Sequence, residues 1–293
     1  MAMRFLITGG EGFIGRHLAE LLIREGHSVA TMDIAGNPDL RISVTDFPTL
    51  MNIDMHFDGI FHLAAVTSPL QFEEDPLYGF QVNVTGTLNI LEMARRKGIR
   101  RVVLASSSAT YGDLRERAEE HLLPDRYMNM YPITKLAGEH LARYYSARGE
   151  VECISLRYFN TFGPGESSKG AYASPIAKFI ESAKRNEPII VYGDGTQSRD
   201  FIYVKDTVRA TLLAFKNGKS GESYNIGTGI ATPFNEIARI VVDAMGTRSE
   251  IVHVPNPLRT YQRFTLADIT KANRDFHFKP QYDLRHAIGE MIA

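Results

Sequence analysis

Thr8-Gly9-Gly10-Glu11-Gly12-Phe13-Ile14-Gly15 decides the fold. It follows the apolar run Phe5-Leu6-Ile7 and opens an amphipathic segment, so it reads as strand, glycine turn and helix N-terminus. Such a junction brings backbone N–H groups and the positive end of a helix dipole to one point, where a pyrophosphate can sit. Glycine is required because a Cβ would block both the tight turn and the approach of a ligand to the backbone. Gly9, Gly12, Phe13, Ile14 and Gly15 are therefore candidate cofactor contacts. The next apolar run, Ser28 to Met32, ends in Asp33, close to the spacing of about 20 residues expected for a ribose-binding carboxylate. Asp33 can accept from both ribose hydroxyls and would repel a 2′-phosphate. Ile34, Ala35, Gly36 and Asn37 offer no cation to hold such a phosphate, which favours NAD over NADP. Three glycines can also make an ordinary strand–helix turn with Asp33 as a cap. Strand, helix and acid together favour the dinucleotide reading.

Composition narrows the rest. The chain has 293 residues, with 33 basic against 34 acidic side chains. That balance lacks the basic excess of a nucleic-acid or membrane-surface binder, and neither partner is expected. No apolar run approaches membrane length, and the chain enters a strand without the basic and apolar regions of a leader. One cysteine, Cys153, lies in the apolar run 151–156. It is expected to be buried, with no disulfide framework, which fits a reducing, cytoplasmic location. The nine histidines show no ligand spacing, and no metal is expected. His62, inside Phe61-His62-Leu63-Ala64-Ala65, reads as packing.

Short apolar runs at 4–8, 28–33, 40–43, 59–65, 101–106 and 151–156 read as strands. Helical patterns from Phe13, over about 78–97 and over about 131–147 alternate with them. Regular alternation means βαβ units and a parallel sheet covered on both faces, a Rossmann-type doubly wound α/β fold. From about residue 161 the pattern breaks into Gly-, Pro- and Ser-rich sequence, then Ile189-Ile190-Val191-Tyr192 and the turn Gly193-Asp194-Gly195. This part reads as a smaller C-terminal α/β lobe over the mouth of the first. The expected division is 1–160 with about 202–226, and about 161–201 with 227–293.

Tyr131-Pro132-Ile133-Thr134-Lys135 places a phenol and an ammonium four residues apart, on one helix face. Pro132 is tolerated because the first turn of a helix has no N–H bond to lose. A free phenol titrates near pH 10, and to act as a base near neutrality it must fall by about 3 units, or about 4 kcal/mol. A neighbouring Lys and an oxidised nicotinamide supply charge of the right sign. With 13 tyrosines, about 0.4 such pairs arise by chance, so the pair needs context. Ser106-Ser107-Ser108 gives it. These residues end the run Arg101 to Ala105, and ligands of parallel sheets bind outside the carboxyl ends of the strands. A hydroxyl there can share the proton passing between substrate and Tyr131, although a serine cap of a turn is the plainer alternative.

With these residues in view, the chain resembles the extended short-chain dehydrogenase/reductase enzymes, in their NAD-dependent nucleotide-sugar epimerase/dehydratase branch. The resemblance runs through Thr8–Gly15, Phe61–Ala65, Asn83-Val84-Thr85-Gly86-Thr87, Ser106–Gly112, Tyr131–Lys135, Arg157-Tyr158-Phe159-Asn160, Gly193-Asp194-Gly195, Arg199-Asp200-Phe201 and Tyr224-Asn225-Ile226-Gly227. It implies that Ser107 is the catalytic hydroxyl, Tyr131 the base, and Lys135 both a ribose ligand and the group that tunes Tyr131. Leu63, Ala64, Ala65 and Ser106 would line the cofactor, with Asn83 near its ribose. Ser108, Asn160 and Arg199 would bind a nucleotide-sugar, Arg199 through the diphosphate, whose oxygens suit a guanidinium. The second lobe would be the nucleotide-sugar lobe. A homodimer through helices near 85–97 and 131–147 is implied too.

Dehydratases of this kind resemble one another in an Asp-Glu pair just after the catalytic hydroxyl, and related decarboxylases in a glutamate in the same segment. Here those positions are Ser108 and Ala109. Without such acids the keto-sugar can only take its hydride back, and return to the opposite face is epimerisation, most like that of UDP-glucose or UDP-N-acetylglucosamine 4-epimerases. Arg259 falls in the late substrate loop, although the Gly-Asp that usually follows such an arginine is missing. Glu166–Gly170 and Tyr261–Thr265 are similar to stretches of ADP-heptose 6-epimerases, making Lys169 a candidate second base. Leu63-Ala64, however, replaces the acidic-glycine step of those enzymes. Thr265 is small where hexose epimerases carry a gate, which would leave room for an N-acetyl group. A 4-keto-sugar reductase and a non-catalytic dinucleotide sensor are the other readings; a sensor needs only the glycine turn and Asp33.

Overall fold

The computed structural model describes residues 1–67, 69–124, 126–127, 129–166, 173–257 and 262–292. The chain runs β1 (Arg4–Thr8), α1 (Phe13–Arg24), β2 (Ser28–Asp33), β3 (Leu40–Arg41), α2 (Phe47–Met51), β4 (Gly59–His62) and α3 (Pro69–Glu74). One long helix follows in three parts: α4 (Pro76–Phe80), a π-helical turn at Gln81–Thr85, and α5 (Gly86–Lys97). Next come β5 (Arg101–Ser107), a 3₁₀ turn at Ser108–Tyr111, α6 (Tyr131–Ala147), β6 (Glu152–Tyr158) and β7 (Asn160–Phe162). Then follow α7 (Pro175–Lys184), β8 (Ile189–Tyr192), β9 (Ser198–Tyr203), α8 (Val204–Asn217) and β10 (Ser223–Ile226). The chain continues through β11 (Ala231–Pro233), α9 (Phe234–Met245), β12 (Ile251–Val254), α10 (Thr270–Phe276) and α11 (Leu284–Ile292).

Seven parallel strands form the main sheet in the order β10-β6-β5-β4-β1-β2-β3. Successive strands step outward from β1 to one side and from β4 to the other. The crevice between β1 and β4 is thus the switch point where doubly wound sheets bind ligands. Each strand alternates its side chains between two cores. Phe5, Ile7, Phe61, Val103 and Ile154 pack under α1 and α8. Leu6, Ile60, Val102, Leu104 and Cys153 pack under α2, α5 and α6. The first core is pinned by Phe5, Phe61 and Phe215, whose ring centroids lie 4.9–5.4 Å apart. Truncating one of these rings to Ala would cost about 3–5 kcal/mol.

Outside this sheet lie a three-stranded sheet, β11-β9-β7, and a pair, β8-β12. The return to the main sheet is made by β10, within the stretch of about 202–226, while Ile202 and Tyr203 at its start belong to β9 beside β7. Two other expected strands are shorter than their apolar runs. β3 keeps two residues, and β4 stops at His62 because Leu63–Ala65 leave the sheet to line a cleft. Among the described residues no helix is long and apolar enough to cross a membrane. No group of three or more His, Cys, Asp or Glu among them could hold a metal ion.

Candidate active site

A cleft of about 1150 Å³ opens over the carboxyl ends of the strands, running from the glycine turn to β8 and α7. At one end Gly9 takes φ +69°, and a Cβ there would lie 2.7 Å from the Ala64 backbone nitrogen. A Cβ on Gly15 would run into the Gly9 carbonyl oxygen. The chain approaches itself this closely so that α1 can begin at the cleft wall, where its cap residue, Gly12, brings no side-chain hydrogen bond. This backbone cradle fits a pyrophosphate. Asp33 is drawn against it, accepting from the backbone N–H of Glu11 at 3.1 Å and from those of Ile34 and Ala35. Its remaining lone pairs suit ribose hydroxyls. The pairing of β2 with β3 sets Arg41 opposite Asp33, a cation the local sequence does not reveal. Its guanidinium donates to the Ile34 and Gly36 carbonyls.

The cleft floor comes from the end of β5 and the first turns of α6. Ser107 accepts from the Ala109 N–H at 3.1 Å, which turns the chain at the strand end, and its hydroxyl favours the charged form of the Tyr131 phenol. Lys135 donates to the Ala105 carbonyl at 2.9 Å, with its nitrogen 5.7 Å from the centre of the Tyr131 ring. Burial pushes the phenol up to about 12, against the bond from Ser107. Burial likewise brings the ammonium down to about 8, with Glu139 opposing. The expected depression of the phenol by Lys135 is therefore not reached by the chain's own groups, because loss of solvation outweighs them.

Gly9, Gly12, Phe13, Ile14, Gly15, Asp33, Leu63, Ala64, Ala65, Ser106, Ser107, Ser108, Tyr131, Lys135, Asn160 and Arg199 all line this one cleft. Asn83 does not. The π turn aims its amide at Val66, with Oδ1 accepting from the backbone N–H and Nδ2 donating to the carbonyl, and Nδ2 also donates to Thr134. It ties the loop after β4 to α6. Ser106 reaches the floor, but its hydroxyl donates to Glu139 at 2.5 Å. His62 is buried and neutral, held down to about 3 by burial and by Lys135, with its ring between Thr8 and Thr87.

At the far end Arg199 is buried, with its guanidinium carbon 5.8 Å from the centre of the Phe234 ring. Asn160 donates to the Asp200 carbonyl and to Thr265. Thr265 is buried, and its hydroxyl also accepts from the Asp200 N–H. Lys169 and Arg259 lie outside the described residues. Sequence reading missed Ile190 and Tyr192, which line the cleft. The signal was there: β8 is apolar on both faces, yet only Ile189 and Val191 are buried, leaving Ile190 42% and Tyr192 40% exposed.

Fold and cleft together are those of an extended short-chain dehydrogenase/reductase, with a glycine turn at one end of the cleft that would fit a dinucleotide. The NAD dependent epimerase/dehydratase family matches residues 5–227, and the chain belongs to that family of NAD-dependent enzymes. It is 36% identical to the UDP-N-acetyl-alpha-D-glucosaminuronate decarboxylase of Bacillus cytotoxicus, over 100% of this chain and 97% of that one. It is 30% identical to the UDP-glucose 4-epimerase of Mycolicibacterium smegmatis, over 99% and 97%. Among solved structures, the Thermus thermophilus UDP-glucose 4-epimerase in complex with NAD superimposes with a TM-score of 0.88 at 31% identity, covering 99% of this chain and 98% of that one.

Proposed function

We propose that this protein is a nucleotide-sugar 4-epimerase acting on a UDP-hexose such as UDP-glucose or UDP-N-acetylglucosamine. One observation carries the choice of reaction. Ser108 and Ala109 follow Ser107 where elimination or decarboxylation would call for an acid. The described carboxylates lining the cleft are Glu11 and Asp33, at the glycine turn, and Glu166, which accepts from the Ser174 N–H and hydroxyl. Among the described residues no carboxylate is set beside Ser107 and Tyr131 to pull a proton from a neighbouring sugar carbon, as elimination of water requires.

NAD, when bound, supplies a hydride acceptor that later gives the hydride back. Gly9, Gly12 and Gly15 would hold its pyrophosphate and Asp33 its adenosine ribose. Tyr131 takes the sugar hydroxyl proton and returns it to the same oxygen, so proton and hydride balance over the cycle. Ser107 donates to that oxygen or to the phenolate as charge moves between them. Lys135 supplies the positive charge that favours phenolate. Arg199 and Asn160 sit where the nucleotide-sugar would extend.

Purified protein given UDP-glucose and NAD should form UDP-galactose without net consumption of NAD. Tyr131→Phe should lower kcat about 10²–10⁴-fold, the usual worth of a positioned acid–base group. Near-normal turnover by that variant would defeat the assignment of the base. Release of CO₂ from a UDP-uronic acid would replace epimerisation with the reaction named for the Bacillus relative.

The same reading makes the protein a cytoplasmic homodimer. α5 and α6 pack together and leave Leu88 40%, Ile133 40% and Tyr144 56% exposed, apolar surface that a second copy can cover. Sedimentation should give twice the chain mass, and Ile133→Glu should shift the protein toward monomer.

A further inference from the structure

Tyr131, Lys135 and Glu139 follow one another at four-residue steps on α6, so they form a single stripe on that helix. Three consecutive residues of β5 meet the stripe: Ala105 accepts from Lys135, Ser106 donates to Glu139, and the Ser107 hydroxyl acts on the Tyr131 phenol. Glu139 is 2% exposed, and its carboxylate is fixed from the next strand. Arg157 of β6 donates to it through Nε at 2.9 Å and Nη2 at 2.7 Å, and Ser223 of β10 adds a hydroxyl at 3.0 Å. Arg157 is itself 1% exposed, capped by the Tyr111 ring at 4.8 Å and by the Glu120 carbonyl. Lys135 and Glu139 also share the wall of a cavity of about 10 Å³ beneath the cleft floor, with His62, Thr87 and Thr134. Read from Arg157 to Tyr131, the signs alternate: cation, carboxylate, cation, phenol.

We infer that Glu139 is a positioning residue for the reaction: anchored by Arg157 and Ser106, it keeps Lys135 a cation beside Tyr131. The inference rests on the roles proposed above for Tyr131 and Lys135. The groups around Lys135 leave Glu139 this task. On α6 its neighbours are Tyr131 and Glu139; β4 presents His62, and β5 presents only a carbonyl and hydroxyls. Behind Glu139, β6 presents Arg157, α6 itself presents Arg143 with its guanidinium 3.7 Å from the carboxylate, and the π turn with α5 presents Asn83 and Thr87. His62 is neutral, so among the described residues facing Lys135 the ionised countercharge is Glu139. Burial works against the charged carboxyl, and the Arg157 guanidinium with the two serine hydroxyls overcomes it, holding the group below its ordinary range. Glu139 thus stays ionised throughout the range in which Lys135 titrates.

Glu139→Gln alone would strand Arg157 in the interior, so the decisive variant is Glu139→Gln combined with Arg157→Met, which removes the pair together. Two readouts are needed. The first is the ¹⁵N shift of the Lys135 side-chain nitrogen in lysine-labelled, NAD-bound protein, followed with pH. The second is the alkaline limb of kcat. Both midpoints should fall in the double variant, since Lys135 loses the carboxylate that favours its charge, while the guanidinium removed with it acts on Glu139 rather than on Lys135. Glu139→Asp should leave both near the wild-type position. If the Lys135 midpoint stays put while melting temperature or kcat drops, the pair is only structural and the inference fails. If the midpoint moves but Tyr131→Phe still turns over normally, the base assignment fails instead.

Discussion

At Gly15 there is no room for a methyl group, because a Cβ would also lie 2.9 Å from the Gly10 Cα. Alanine is otherwise the better helix former by about 1 kcal/mol, so a stability argument alone would favour the substitution. The clash decides the sign. Gly15→Ala must push the 9–10 segment outward, into the place where a pyrophosphate would lie. Its dissociation constant for NAD should rise at least about tenfold, a loss of about 1.4 kcal/mol, and its melting temperature should fall as well, because the atoms that must give way are backbone. Calorimetric titration of NAD checks this, and an unchanged constant would mean that the turn does not face the cofactor. At this scale much of the site is legible in the sequence. Gly9, Gly15, Ser107, Tyr131 and Lys135 each sit in a short local pattern whose chemistry requires those residue types. Glu139 and Arg41 were not legible, because what gives them meaning is a partner on another strand: Arg157 for the one, Asp33 for the other.

Elements were readable where one period dominates. β1, β5 and β6 announce themselves as apolar runs because strands buried on both faces need apolar residues at every position. α1 shows the 3.6-residue stripe of Leu18, Leu21 and Leu22. The π turn at Gln81–Thr85 was hidden, since a single widened turn changes no periodicity that a window can detect. It matters because it carries Asn83. The resemblance implies that this residue lies near a ribose; in the structure the widened turn aims its amide so that it locks Val66 to Thr134. The second half of the chain was harder still. Strands of three residues, such as β7 and β11, are too short for any alternation to register, and their pairings with β9 join residues 31 to 41 positions apart. Asp200 illustrates the cost of that distance. Its buried carboxylate accepts from Thr228, Gly229 and Ala267, tying β9 to two later loops, and nothing near it in sequence foretells this.

For the molecule as a whole, the cleft draws its walls from residues as far apart as Gly9 and Phe234, so anything that fills it cross-links distant parts of the chain. Binding confined to the native state stabilises by mass action, about 2.7 kcal/mol at 100 times the dissociation constant. For a chain of this size that corresponds to a rise in melting temperature of roughly 5 °C. NAD and a nucleotide-sugar would occupy opposite ends, the first against Gly9 and Asp33, the second against Asn160, Arg199 and Tyr192. Their effects should therefore add, each raising the melting temperature in the presence of the other. A panel of UDP, GDP, ADP and CDP, each added to NAD-saturated protein, then reads the base directly. UDP should give the largest further rise, and Arg199→Met should remove most of it while leaving the NAD shift intact. Equal shifts from all four diphosphates would mean that this end of the cleft grips phosphate without reading the base, and the assignment to UDP-sugars would fall.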